Sequence, residues 1–199
     1  MASCETKNMT YYVPGKTLAV LGLSLLVYYS PGLASVSIYD RFAILDGQVW
    51  RLFSCHFVHF DNAHLLYNCV AFGIAGFIIE HRSYPYFVML FVFSAFSIGL
   101  SLLVFKSDIF YYGGLSGPAC ACLIYVLLSG LRDSGIWRIL CFLLILLFLG
   151  KLSLEYLTTT SLLPYASDSK FVLVPLSHVV GVLVAWAIYL FSAKKWIRA

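Results

Sequence analysis

The sequence predicts an all-α polytopic membrane protein, a bundle of six transmembrane helices with both termini in the cytoplasm. Three observations carry this. The 199 residues are 61% hydrophobic and only 11% charged, where soluble domains carry about a quarter charged residues. The apolar residues gather in six segments, at 18–33, 63–79, 84–105, 115–131, 137–157 and 173–191, each near the length that crosses a bilayer. Most of the charged residues fall between those segments, and unequally on the two sides they define.

Residues 1–15 are polar. The first segment, 18–33, is short for a span and crosses with tilt or in a thin bilayer. Its end, Leu33-Ala34-Ser35, has the small residues of a signal-peptide cleavage site. An uncleaved segment is favoured, because removal leaves five spans and upsets the charge count. Residues 35–62 are a long mixed connection, with Asp40, Arg41 and Asp46 followed by Trp50-Arg51-Leu52-Phe53. Amphipathic stretches of this kind lie in the interface instead of crossing it. Short polar turns, Glu80-His81-Arg82-Ser83 and Arg132-Asp133-Ser134-Gly135, join the second segment to the third and the fourth to the fifth. The chain ends in a basic anchor, Lys194-Lys195-Trp196-Ile197-Arg198.

With six spans, the side holding the termini carries Lys7, Lys16, Arg82, Arg132, Arg138, Lys194, Lys195 and Arg198 against Glu5, Glu80 and Asp133. The opposite side carries Arg41, Arg51, Lys106, Lys151 and Lys170 against six acidic residues. The positive-inside bias therefore puts both termini in the cytoplasm. The net charge of +4 is topology, not a nucleic-acid footprint. The bilayer is the expected partner. Four of the six cysteines lie inside apolar segments, where they act as small hydrophobes, and Cys120 and Cys122 point in different directions on a helix. No cofactor is expected.

Between the third and fourth segments stands Tyr112-Gly113-Gly114-Leu115-Ser116-Gly117. Paired glycines allow a tight turn and close backbone approach. Ser116 then opens a helix, where free N–H groups and the dipole favour negative charge. Two readings stand: a glycine-rich loop with a serine N-cap, or a nucleophile placed to generate an oxyanion.

The last segment begins Ser177-His178-Val179-Val180-Gly181, with Ala185 four residues on. An ionisable residue in a membrane segment is a functional candidate by default, against the plainer reading of a hydrogen-bonded core histidine. Gly181 and Ala185 form a small-xxx-small face, as do Gly117 and Ala121 in the fourth segment. If those faces meet, Ser116 and His178 come together.

The second segment is introduced by His56, His59, Asp61, His64 and Asn68. His64 and Asn68 share a helix face, and N–H groups aimed at one point suit an oxyanion hole. A zinc site from His56, His59 and His64 is disfavoured, since no His-Glu-x-x-His string exists and Asp61 is the sole nearby carboxylate. Lys151 and Glu155, four apart near the outer end of the fifth segment, form an ion pair that supports the helix or a charged pair that meets a substrate.

Together these motifs resemble the rhomboid family of intramembrane serine proteases, over spans two to six and the long first loop. Trp50-Arg51 matches the family's loop pair. His59, His64 and Asn68 match its second-span residues, with Glu80 twelve residues later. Gly114-Leu115-Ser116-Gly117 matches its Gly-x-Ser-Gly, and His178, Gly181 and Ala185 match the last-span signature. The resemblance implies a Ser–His dyad without a third acidic member, Ser116 as nucleophile, His178 as general base, and His64 and Asn68 at the oxyanion. It further implies transmembrane substrates cut near the outer boundary, with His59, Gly114, Lys151 and Glu155 as substrate contacts beside the fifth span.

A narrower likeness is to the rhombosortase branch, carried by Cys55-His56-Phe57-Val58-His59 and by Lys151 with Glu155. The chain departs from that branch after the serine, at Pro118-Ala119-Cys120. The likeness implies a bacterial inner-membrane enzyme open to the periplasmic side, processing secreted proteins with glycine-pair C-terminal tails. The alternative is an inactive, client-binding relative, which is disfavoured because serine and histidine are both present.

Overall fold

The computed structural model describes residues 12–158 and 174–196, and its framework is helical. Helix α1, Gly15–Tyr28, meets α2, Pro31–Ser37, at a bend of 107°. The expected single segment 18–33 is thereby corrected: the helix starts three residues earlier and stops before Pro31. Proline lacks the N–H that would continue the ladder, and it suits the first turn of the next helix, where it stands.

The connection to the second span is built, not loose. It runs through β1 (Tyr39–Asp40), α3 (Arg41–Leu45), α4 (Arg51–Ser54) and a 3-10 turn at Cys55–Phe57. Arg51 is its centre. The guanidinium is buried, and it donates to the carbonyls of Ser35 at 2.9 Å and Ile38 at 2.8 Å and to the Gln48 side chain at 2.9 Å. The Trp50 indole N–H donates to Val36 O at 3.1 Å. The Trp-Arg pair thus ties the loop back onto α2 by satisfying carbonyls that irregular backbone leaves open.

Four long apolar elements follow in α5 (Asn62–His81), α6 (Phe87–Phe105), α8 (Gly135–Thr158) and α9 (Pro175–Trp196). Between α6 and α8, strand β2 (Tyr111–Tyr112) pairs antiparallel with β1, setting Tyr39 opposite Tyr112. It leads into α7, Ser116–Gly130. Among the described residues, four helices are long and apolar enough to cross a membrane, or five with the bent α1–α2 pair. The sequence predicts six spans, and the difference lies in α7. Its 15 residues rise only about 22 Å, against a hydrocarbon core of about 30 Å. The Gly113-Gly114 turn starts this helix late.

Helix α7 is shorter than α5, α6, α8 and α9, and it is also the most enclosed. Ten of its residues are buried, and it packs on α5, α6, α8 and α9. Against α9 the predicted small faces meet. A Cβ on Gly181 would lie 2.5 Å from Gly117 O, and one on Gly117 would touch the Ile98 side chain and Ser177 O. Only hydrogen fits at either position, so the two backbones come close enough to set side chains at fixed depth.

Helix α1 is anchored from below by Glu80 at the end of α5. One carboxylate oxygen accepts from the Thr17 N–H and from its hydroxyl, each at 2.7 Å, and the other from the Lys16 N–H at 3.2 Å. Pro14 cannot cap this helix with a side chain, so Glu80 supplies the missing acceptor. Glu80→Ala is expected to cost about 1.5–3 kcal/mol, the range for hydrogen bonds to a charged group. Thermal unfolding in detergent checks this, and an unchanged midpoint would remove the anchor role.

Candidate active site

The loop before α7 is fixed by two features of Gly114. Its φ of +138° lies where side chains rarely go, and a Cβ there would fall 2.8 Å from His64 Nε2 and 3.7 Å from Asn68 Nδ2. Glycine at this position lets α5 press His64 and Asn68 against the turn. The Gly114 N–H donates to Cys55 O at 3.1 Å, and its carbonyl faces His56 Nδ1 at 3.0 Å. Both backbone groups are engaged, and His64 takes up the space of the missing side chain.

His56 is fully buried, with its second ring nitrogen 3.0 Å from Ala95 O. A neutral imidazole has one N–H, so it donates to one of these carbonyls while bridging α6 to the Gly114 turn. Asp61 accepts from the His64 N–H at 2.7 Å as the cap of α5. His56 is thus a brace and Asp61 a helix cap.

Ser116 is the first residue of α7, and Leu115 at the cap position provides no side-chain bond. Ala119 N–H already donates to Leu115 O, and Pro118 has no N–H. The orphan donors of this helix end are therefore those of Ser116 and Gly117. Asn68 is buried, and its Nδ2 has no hydrogen-bond partner among the described residues. His59 donates from Nδ1 to Phe57 O at 3.2 Å and stands edge-on to His64 at 5.1 Å. Burial, with His64 as a second cause, pushes the His59 imidazole down to about 3, so it is neutral at physiological pH.

His178 is buried on the first turn of α9. Its neighbour Ser177 contributes the carbonyl that a Cβ on Gly117 would meet at 3.1 Å. Ser116 and His178 thus stand next to the contact between α7 and α9. The Tyr112 hydroxyl lies within electrostatic reach of Ser116 and Ser177, and burial raises its phenol far above the ordinary range. It remains a neutral donor at the edge of the site.

Glu155 occupies a place its sequence reading did not suggest. One of its oxygens lies 2.7 Å from Lys151 Nζ and 3.4 Å from His178 Nδ1. The expected absence of an acidic neighbour to the histidine is therefore corrected. The reason is helix phase. The buried residues of α8 are Cys141, Phe148 and Glu155, two turns apart each time, so they form one inward stripe. The expected i,i+4 pair with Lys151 is present, but Glu155 points into the protein.

Residues 46–195 match the family profile of the Rhomboid domain. This chain belongs to the rhomboid family. It is similar to the Rhomboid protease GlpG of Salmonella newport (strain SL254), Salmonella heidelberg (strain SL476) and Salmonella typhi, 35% identical over 97 residues in each case. The matched stretch is 47% of this rhomboid and 34% of each relative.

Of the residues singled out from sequence, Gly114, His64 and Asn68 of this rhomboid converge on the turn that carries Ser116, with His59 beside His64. His178 joins from α9 and Glu155 with Lys151 from α8. The brace formed by His56 escaped sequence reading, because its partners are main-chain carbonyls that leave no residue signature.

Proposed function

We propose that this rhomboid is an intramembrane serine endopeptidase in which Ser116 is the nucleophile and His178 the general base. The observation that supports it most is the meeting of three donor sets at the start of α7: the orphan N–H groups of Ser116 and Gly117, the unpartnered Asn68 amide, and His64 over Gly114.

In the first step the Ser116 Oγ attacks the scissile carbonyl carbon while its proton passes to His178. The carbonyl π electrons move to oxygen, where the Ser116 N–H, Asn68 and His64 face the charge. Collapse re-forms the carbonyl and breaks the C–N bond. The leaving amine takes the proton from His178. Hydrolysis of the acyl-enzyme then repeats the sequence with water as nucleophile.

The proposed orientation puts both termini in the cytoplasm, on the count of basic residues, with α1, α5, α6, α7, α8 and α9 as the six segments. From an inner end at Gly130, α7 rises about 22 Å. Ser116 then lies about 8 Å below the outer edge of a core of about 30 Å, a depth suited to an unwound segment of a membrane-bound substrate. The cleft lined by Leu152, Ser153, Tyr156, Leu157 and Val179 opens between α8 and α9 beside Lys151 and offers an apolar approach. His59, Gly114 and Lys151 are the proposed substrate contacts. Within the family we favour a rhombosortase-type role in a bacterial inner membrane, processing C-terminal glycine-pair tails, on the Cys55–His59 string and the Lys151–Glu155 pair.

A fluorophosphonate probe tests the reading. Wild type in detergent should be labelled and Ser116→Ala should not. A folded wild type that resists labelling would support the client-binding alternative.

A further inference from the structure

The strongest feature outside the dyad is the buried carboxylate on α8. Glu155 is 1% exposed, though it lies in a helix that otherwise shows most of its surface outward. A simple surface ion pair would leave both partners at the rim. Here Lys151 is the partly exposed member and reaches to a carboxylate already turned inward. Burying a charge is costly without partners, and the second partner within reach is His178 Nδ1 at 3.4 Å. That separation is an ion-pair distance, and among the described residues Nδ1 makes no formed hydrogen bond. Such contacts in a resting site are often long and tighten when charge develops.

We infer that Glu155 is a positioning residue for His178, making the site a Ser–His–Glu relay whose strength is set by Lys151. This rests on the proposed protease reading and extends it. With Nδ1 held toward the carboxylate, Nε2 is the nitrogen left to take the Ser116 proton. When it does, Nδ1–H donates to Glu155 and the imidazolium is stabilised in place. The carboxylate itself keeps no proton. Lys151, on the same carboxylate oxygen, withdraws part of that stabilisation. Of the titratable groups on neighbouring elements, Cys120 of α7 lies within electrostatic reach of Lys151 and Glu155, and the Tyr112 phenol of β2 lies within reach of Ser177, next to His178. Helix α6, also packed on α9, carries no titratable residue.

The test is the rate of labelling by a fluorophosphonate, using the full chain in detergent. In that reaction Ser116 Oγ bonds to phosphorus, fluoride leaves, and the proton goes to His178. Glu155→Gln should slow labelling at saturating probe by about tenfold or more, with the probe concentration for half-maximal rate unchanged, and Glu155→Asp should restore part of the rate. Lys151→Met should speed labelling, because the carboxylate then acts on His178 unopposed. A merely structural ion pair predicts no such opposed changes. If both variants fold and label at the wild-type rate, the inference fails while the protease reading stands. If Glu155→Gln does not fold, Lys151→Met decides alone, and an unchanged rate overturns the relay. Absence of Ser116 labelling in wild type overturns both.

Discussion

Ser116→Ala, His178→Ala and the double variant are expected to lose cleavage to nearly the same extent, on the order of 10⁴–10⁶-fold in kcat. The reason is that nucleophile and base serve one step: with either absent, no activated alkoxide forms, and the second loss removes nothing more. Residual turnover then comes from the oxyanion donors and from binding. The measurement is cleavage of a quenched-fluorescent transmembrane peptide by each variant reconstituted in lipid. A double variant far slower than both single ones would mean that the two residues act independently, and the dyad would have to be abandoned. The packing at Gly117 and Gly181 sharpens this expectation. Gly181→Leu leaves both functional groups intact, yet its side chain would enter the space of Gly117 O. It should separate α7 from α9 and reduce activity as severely as loss of His178.

The second large effect concerns charge developing on the substrate. Asn68→Ala should raise the barrier by about 2.7–4 kcal/mol, a loss of about 10²–10³ in kcat, with little change in KM. The amide nitrogen has no hydrogen-bond partner among the described residues, so removing it sacrifices no bond formed there and should leave folding intact. His64→Ala should be similarly slow, although its ring also stacks on Phe60 and abuts His59. Labelling of Ser116 separates this from loss of the nucleophile, because Asn68→Ala should still react. Wild-type turnover in the combined His64→Ala, Asn68→Ala variant would rule the oxyanion role out.

Much of this molecule is legible in its residue order. Lipid solvates no backbone polar group, so apolar segments of bilayer length must be helical. The segments at 63–79, 84–105, 137–157 and 173–191 accordingly became α5, α6, α8 and α9, within a few residues at most described ends. The close contact of α7 with α9 was foreshadowed by Gly117, Ala121, Gly181 and Ala185, since small residues at four-residue spacing permit close backbone approach. Likewise Ser116 at a helix start and His64 with Asn68 on one face follow from local periodicity.

What needed the tertiary structure was direction. Hydropathy is blind to which side of a helix faces inward, so Lys151 and Glu155 read only as a helix-supporting ion pair or a substrate contact. The stripe of Cys141, Phe148 and Glu155 is visible only once α8 has been docked on α7 and α9. The bounds of α7, by contrast, were legible to within one residue at each end, since the Gly113-Gly114 turn precedes it and Arg132-Asp133 follows it. Main-chain contacts left no trace. The hold of His56 on Gly114, of Arg51 on Ser35 and Ile38, and of Glu80 on α1 all end on backbone atoms, which every residue type shares. Sequence alone thus determined the membrane helices and the chemical groups at the site. Packing alone decided which of those groups face one another, because facing depends on helix rotation, and rotation is set by neighbours far away in the chain.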